Sequence, residues 1–311
     1  MESKILFVTH DGTVHSDERV ACTLLWAHII SNCGEHVPEL QIVRTRDLKA
    51  YEPYELKKAF KYTEVYFVDV GDVYDRKTRF DHHQSSPAVE GHCAATLVAQ
   101  VFHPDLLHDH PFGNVLRRIA VQDTRGLSAV AEEYGNRDVV PFLHEEFEAN
   151  NRFEMDPVGE VFNSVGGILR MKAEVQAYQK LRKWASDRLV GYDTYFGTVL
   201  VWDRDATEFL KKHWHDGLVR RYNAERIEES DAIAMVSFES SNSVEGVVYR
   251  FYRTGKGEKI LDFNKWRGHP EIGEIKFCHK SGFLLLIRDY KPVWKEGIPS
   301  WMEVIKNSAG V

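Results

Sequence analysis

Short apolar runs bounded by polar turn residues alternate with stretches of helical spacing through the first part of the chain. Ile5 to Val8 is a continuous apolar run that stops at Thr9-His10-Asp11-Gly12, the pattern of a buried strand ending at a turn. From Glu18 to Ile30, the residues Val20, Leu24, Ala27 and Ile30 recur at helical spacing, and Asp17 stands in the N-cap position. Gln41 to Arg44 reads as a second strand, Tyr54 to Tyr62 as a short helix, and Val65 to Val70 as a third strand buried on both faces. This alternation predicts an α/β fold with a parallel sheet and helices on both sides. Helices are expected again over Ala94 to Phe102 and over Val115 to Gln122, the latter ending at Asp123, while His103, His108 and His110 between them read as a solvated loop. Val158 to Leu189 carries Val161, Val165, Leu169, Ala173, Ala177 and Leu181 at four-residue steps and reads as one long helix joining two domains.

Beyond Gly191 the pattern changes. Strands are expected over Tyr195 to Trp202, Ala232 to Phe238 and Val247 to Tyr252, the last two paired with each other. A helix is expected over Ala206 to Tyr222, and a strand with an internal turn over Ile275 to Ile287. The reading is a smaller α/β domain with some antiparallel pairing, so the expected division is residues 1–188, including the long helix, and 192–311.

Composition narrows the functional classes. The 311 residues carry 40 Lys+Arg against 47 Asp+Glu, a formal charge of -7, which disfavours a long, high-affinity nucleic-acid footprint. Cys22, Cys33, Cys93 and Cys278 form no C-x-x-C pair, so neither a zinc ribbon nor a disulfide scaffold is expected, and a reducing, cytoplasmic setting fits. No apolar run approaches the length of a membrane span, and the run near the N-terminus is short for a signal peptide. An oligomer is compatible with the sequence and not required by it. Fifteen histidines are an excess that asks for a reason.

Four segments of the first half supply ligand-type side chains: His10, His15 and Asp17; Asp69; Asp81, His82 and His83; and Asp123. In an open α/β sheet, loops leaving the carboxyl ends of the strands converge on one crevice, so these residues would meet. Asp69 follows four apolar residues, and a buried carboxylate there needs a partner that a cation would supply. Read singly, Asp17 is also an ordinary helix cap and Asp123 ordinary turn chemistry.

The segments Thr9-His10-Asp11-Gly12-Thr13-Val14-His15-Ser16-Asp17-Glu18, Val68-Asp69-Val70-Gly71 with Tyr74-Asp75, and Phe80-Asp81-His82-His83-Gln84 resemble the DHH phosphoesterase superfamily. More closely they resemble its melanocyte-proliferating-gene (MYG) family, and the resemblance extends to Trp266-Arg267-Gly268 and Phe277-Cys278-His279-Lys280-Ser281-Gly282-Phe283. It implies a DHH catalytic domain followed by a substrate-binding domain, and a phosphodiester hydrolase working with two divalent cations, Mn²⁺ first and Mg²⁺ as the alternative. One cation would be held by His10, His15 and Asp69, the second by Asp17, Asp69, His82 and Asp123, with Asp69 bridging. His83 would face the substrate and Asp81 would orient a neighbouring imidazole, while Arg267, His279, Ser281 and Gly282 of the second domain would hold phosphate or nucleotide. His15 stands where many superfamily members have aspartate, Asp11 where asparagine is expected, and Leu284 to Leu286 where a glycine-rich run is expected.

The expected activity is 3′-to-5′ exonuclease cleavage of RNA or DNA ends or of short oligonucleotides. Hydrolysis of small phosphate compounds such as pyrophosphate, a cyclic dinucleotide or a short oligonucleotide is the alternative within that chemistry, and a non-catalytic, metal-stabilised binding protein the alternative outside it. Trp202, Phe238, Tyr249 and Trp266 read either as core residues or as stacking platforms for bases.

Overall fold

The computed structural model describes residues 3–48, 62–203, 206–239, 247–265, 273–278, 280–281, 284–289 and 300–309. The chain divides into two compact units, residues 1–175 and 176–311.

In the first unit, β1 (Lys4–Thr9), β2 (Glu39–Arg44), β3 (Glu64–Val68) and the two-residue β4 (Arg79–Phe80) form a parallel sheet in the order β2-β1-β3-β4. Successive side chains of a strand face opposite ways. Accordingly Ile5 and Phe7 of β1 join Tyr66 and Val68 of β3 in one core, and Leu6 and Val8 join Val65 and Phe67 in another. The first core is closed by α1 (Ser16–Asn32), α2 (Ala94–Phe102), α3 (Pro104–His108) and α4 (Phe112–Arg125), with Trp26, Leu97 and Leu116 fully buried. The second core includes Leu48 and Tyr62, and the helix expected over 54–62 lies outside the described residues apart from Tyr62.

Several expectations change. His103 is fully buried, because α2 and α3 follow one another without a loop and the ring Nε2 lies 2.9 Å from the Leu24 carbonyl; His108 is exposed as expected. Two helices that the sequence reading did not mark fill residues 127–155: α5 (Leu127–Tyr134) and α6 (Asn136–Met155), which begins after Gly135 at φ 78° and contains Pro141 in its second turn. The long helix α7 runs Pro157–Ala185, and the boundary between the units falls inside it.

In the second unit, a six-stranded sheet has the order β5-β6-β7-β8-β10-β9 among the described residues. The strands are β5 (Leu189–Thr194), β6 (Gly197–Trp202), β7 (Ala234–Glu239), β8 (Val247–Arg253), β9 (Gly273–Cys278) and β10 (Leu284–Asp289). Only β6 and β7 pair parallel. The strand expected over 195–202 is instead the second arm of a hairpin that turns at Tyr195-Phe196, with Gly197 at φ 133°. The helix expected over 206–222 is two helices, α8 (Ala206–His213) and α9 (Asp216–Ser230); the His215 ring Nδ1 caps the second by accepting from the Gly217 N–H at 3.1 Å. A last helix, α10 (Ser300–Ser308), packs Trp301, Val304 and Ile305 into the sheet core. Trp202 and Tyr249 are core residues, 2% and 3% exposed, and Trp202 Nε1 donates to Asn223 Oδ1.

Candidate metal centre

The parallel pairing of β1, β3 and β4 brings the carboxyl ends of the three strands to one edge. His10 follows β1, Asp69 follows β3, and Asp81-His82-His83 follows β4. Strand β3 stops because Asp69 takes the left-handed conformation, φ 55°, in which its backbone N–H still reaches the Phe80 carbonyl at 3.0 Å. Aspartate is among the few side chains that adopt this conformation at modest cost, and such strain is typical of functional positions. Asp75 organises the turn into β4, its Oδ1 accepting from the N–H groups of Lys77, Thr78 and Arg79 at 2.8 to 2.9 Å.

Around Asp69, His10 Nε2 lies 3.3 Å from Oδ2, and His82 Nδ1 and His83 Nδ1 lie 3.4 and 3.7 Å from Oδ1. Asp123, in the last turn of α4, places Oδ2 at 2.7 Å from His82 Nε2 and Oδ1 at 3.8 Å from His15 Nδ1. Three groups have ligand atoms within 4.8 Å of one another: His10, His15 and Asp69; His15, Asp17 and Asp123; and Asp69, Asp81, His82 and His83. All six residues read from the sequence as ligands therefore fall in these overlapping groups.

Asp17 is not a helix cap. His15 occupies that position without a side-chain cap bond, and Asp17 lies buried in the first turn of α1, its Oδ2 accepting from the Ala94 N–H at 3.3 Å at the start of α2. Burial and the carboxylates of Asp69 and Asp123 push the Asp17 carboxyl well above the usual range. The His10 imidazole is driven up to about 9, chiefly by the Asp69 carboxylate that faces it at 3.3 Å and against the effect of burial. Burial works against the His82 cation, yet Asp123, Asp69 and Asp81 together raise its pKa.

Both oxygens of Asp69, and also His10 Nε2, Asp17 Oδ1, His82 Nδ1 and Asp123 Oδ2, are buried without an aligned hydrogen bond; where charged groups face one another they stand at 2.7 to 3.7 Å as ion pairs. Unsatisfied buried carboxylates are costly, and a divalent cation is the partner that carboxylate oxygens and imidazole nitrogens share. The donor set fits such an ion. Its tautomers agree as well: His10 Nδ1 bonds to the Asp11 carbonyl at 2.7 Å, leaving Nε2 to face Asp69.

Asp81 is buried and fully engaged. Its Oδ2 accepts from the Asp72 N–H at 2.7 Å, and its Oδ1 accepts from the His83 N–H at 3.0 Å and lies 2.6 Å from His83 Nδ1. Burial would raise the Asp81 carboxyl, but these bonds and the His83 charge hold it below its ordinary value. The His83 side chain is 55% exposed and borders a cleft of about 360 Å³ together with Arg46.

Of the second-domain residues, Arg267, His279 and Gly282 lie outside the described residues. Ser281 is in a turn, and its carbonyl accepts from Arg253 Nη2 at 2.9 Å. Glu18 is a site residue the sequence reading did not single out: it is fully buried, with Oε1 at 3.2 Å from Arg44 Nε and Oε2 at 3.3 Å from His10 Nε2. Acidic residues are common in a first helical turn, so nothing in the sequence distinguished Glu18 from an exposed one. A clamp from Arg19 to Glu146 at 3.0 and 3.1 Å and to Asn150 at 3.1 Å, with Asn150 bonded to Ser16, ties α6 to the start of α1.

Residues 6–110 match the sequence profile of the MYG1 exonuclease family, described as Uncharacterised protein family (UPF0160), which bears out the resemblance carried by the three N-terminal segments. Over 79 residues the chain is 44% identical to a MYG1 protein of Chlamydia pneumoniae and 39% identical to the MYG1 exonuclease of Homo sapiens. The aligned stretch is 25% of this chain and spans only 22% and 17% of those relatives' lengths. The segments around Arg267 and His279 lie outside the residues that the family profile matches. Among solved structures, a pGpG-specific phosphodiesterase of Vibrio cholerae aligns at 12% identity and TM-score 0.31, covering 92% of this chain and 94% of that one. The manganese complex of RecJ from Thermus thermophilus aligns at 13% identity and TM-score 0.27, covering 99% of this chain and 52% of that one. Superpositions at those TM-scores establish no shared arrangement.

Proposed function

We propose that this chain is a metal-dependent phosphodiester hydrolase, acting as a 3′-to-5′ exonuclease on the ends of RNA or DNA strands or on short oligonucleotides. The observation that carries the reading is the buried Asp69 carboxylate, without an aligned hydrogen bond and held in a left-handed conformation among His10, His82 and His83. His10, His15 and Asp69 would hold one divalent cation, and Asp17, Asp69, His82 and Asp123 a second. Such a pair supplies a water nucleophile of lowered pKa and neutralises charge on the phosphoryl oxygens. Mn²⁺ suits the mixed imidazole and carboxylate donors, with Mg²⁺ as the alternative. The MYG1 exonuclease relationship of residues 6–110 supports the hydrolytic reading.

The chain's own groups do the rest. Asp81 accepts the Nδ1 proton of His83 and stabilises the imidazolium, so that Nε2 carries a proton to the leaving oxygen. Arg46, 3.1 Å from Asp11 and bordering the same cleft, binds a non-bridging phosphate oxygen. Arg267, His279, Ser281 and Gly282 belong to the same proposal as phosphate or nucleotide contacts.

No helix among the described residues is long and apolar enough to cross a membrane. None of the four cysteines is in a disulfide among the described residues, and a reducing, cytoplasmic setting belongs to the same proposal.

The test is purified protein with Mn²⁺ on RNA and DNA labelled at either end, on dinucleotides and on pyrophosphate. Mononucleotides released progressively from the 3′ end are the expected result. Phosphate released from pyrophosphate alone would replace the exonuclease reading with that of a small-phosphate hydrolase.

A further inference from the structure

A cavity of about 760 Å³ in the first unit shares His15, Asp17 and Asp123 with the candidate metal centre. Its apolar lining comes from Ile119 of α4, Leu127 of α5, and Leu143 and Phe147 of α6. Two of these side chains are large and open to solvent: Phe147 is 66% exposed and Leu127 49%. Beside them stand two carboxamides. Gln122 precedes the ligand Asp123, and its Oε1 is buried without a hydrogen-bond partner. Asn151 lies one helical turn after Phe147, on the same face of α6.

The charge of the lining excludes a second phosphate. Among the described residues no lysine or arginine borders the cavity; of its two glutamates, Glu146 is neutralised by two bonds from Arg19 and Glu154 adds negative charge. The clamp from Arg19 to Glu146 and Asn150 holds α6, and with it Phe147, in fixed register against the helix that carries Asp17. An aromatic face, aliphatic neighbours and free amides suit an uncharged planar heterocycle with a polar edge.

We infer that this cavity is a nucleobase subsite: Phe147 stacks on the base of the nucleotide whose phosphate lies at the metal centre, and Gln122 and Asn151 meet its polar edge. The inference rests on the phosphodiester reading and deepens it, assigning specificity for a base-bearing terminus to the first unit.

The experiment compares binding of adenosine 5′-monophosphate and ribose 5-phosphate by calorimetry in the presence of Mn²⁺. The intact chain binds the nucleotide about tenfold more tightly, within the range that base–aromatic stacking supplies. Phe147→Ala brings the ratio close to one, Phe147→Trp preserves it, and Gln122→Ala narrows it. Phe147 is exposed, so its truncation spares the core, and Phe147→Trp guards against misreading a folding defect. Equal affinities in the intact chain, binding of neither compound, or parallel weakening of both by Phe147→Ala would overturn the subsite. Because binding rather than turnover is read, the two proposals fail separately. A chain that prefers the nucleotide but cleaves no strand keeps the subsite and loses the exonuclease. One that cleaves ordinary and abasic termini at equal rates keeps the activity and loses the subsite.

Discussion

At the strand edge of the first unit, Thr9 Oγ1, His10 Nε2, Asp17 Oδ1, Glu18 Oε2, both Asp69 oxygens, His82 Nδ1 and Asp123 Oδ2 are all buried without an aligned hydrogen bond, imidazoles and carboxylates facing one another as ion pairs. The sheet of the second unit treats its polar groups differently: Trp202 Nε1 bonds to Asn223, Thr254 Oγ1 to the Ala232 carbonyl, and Arg253 Nη1 to the Leu261 carbonyl. Between them lie fully buried apolar residues such as Phe251, Val236 and Leu285. In the second unit Trp214 Nε1 and Arg226 Nε are buried without a hydrogen bond, but they stand singly; a cluster of such atoms marks a place completed by a ligand, while a core with most polar groups paired serves stability.

That contrast breaks most sharply at Asp69. Asp69→Asn is expected to lower Mn²⁺-dependent hydrolysis by at least about 10³-fold and to abolish the rise in melting temperature that Mn²⁺ gives the intact chain, with far-UV circular dichroism unchanged. Retention of either effect would detach the cluster from metal binding. Phe251→Ala in the second unit should do the reverse, costing about 3–5 kcal/mol of stability in denaturant titration while leaving Mn²⁺ affinity unchanged.

A buried histidine away from the cluster, His103, paired at Nε2 though not at Nδ1, sharpens the comparison within the first unit. His103 bonds to the Leu24 carbonyl, and burial lowers its pKa from 6.5 to about 4. Between those values the unfolded chain takes up a proton that the folded ring refuses, so stability falls as pH drops from 6.5 towards 4, by about 3 kcal/mol at most. Urea midpoints at pH 7 and pH 4.5 should converge on this account when His103→Gln is compared with the intact chain; an unchanged pH slope would show that the ring does not carry it. The smallest effect is expected at Asp81. Asp81→Asn should lower kcat about 10–100-fold and shift its acid limb while Mn²⁺ affinity holds, since Asp81 acts through His83.

Much of the first unit was legible because its features are local. A continuous apolar run gave β1 and β3, and helical spacing gave α1, α2 and most of α7. The ligand residues were legible as a set because three of their segments sit at strand ends, where parallel topology brings them together. What escaped depends on tertiary contact. Asp17 has the sequence position of a cap, but its carboxylate turns across to Ala94. His103 sits among Pro and Asp residues that suggest a loop, yet two abutting helices bury it. The helix over 136–155 went unmarked, and it forms with Pro141 inside it because Val139, Phe142, Ala149 and Phe153 are buried along one side. Glu18 and the Arg19 clamp join residues more than a hundred positions apart or on different elements, and no spacing rule reaches that far.

The most direct measurement is diffraction at the manganese absorption edge from crystals grown with Mn²⁺. Two anomalous peaks are predicted, one beside His10, His15 and Asp69 and one beside Asp17, His82 and Asp123, both absent from Asp69→Asn. Density for manganese elsewhere only, or peaks that survive Asp69→Asn, would contradict the assignment of this cluster as the metal centre.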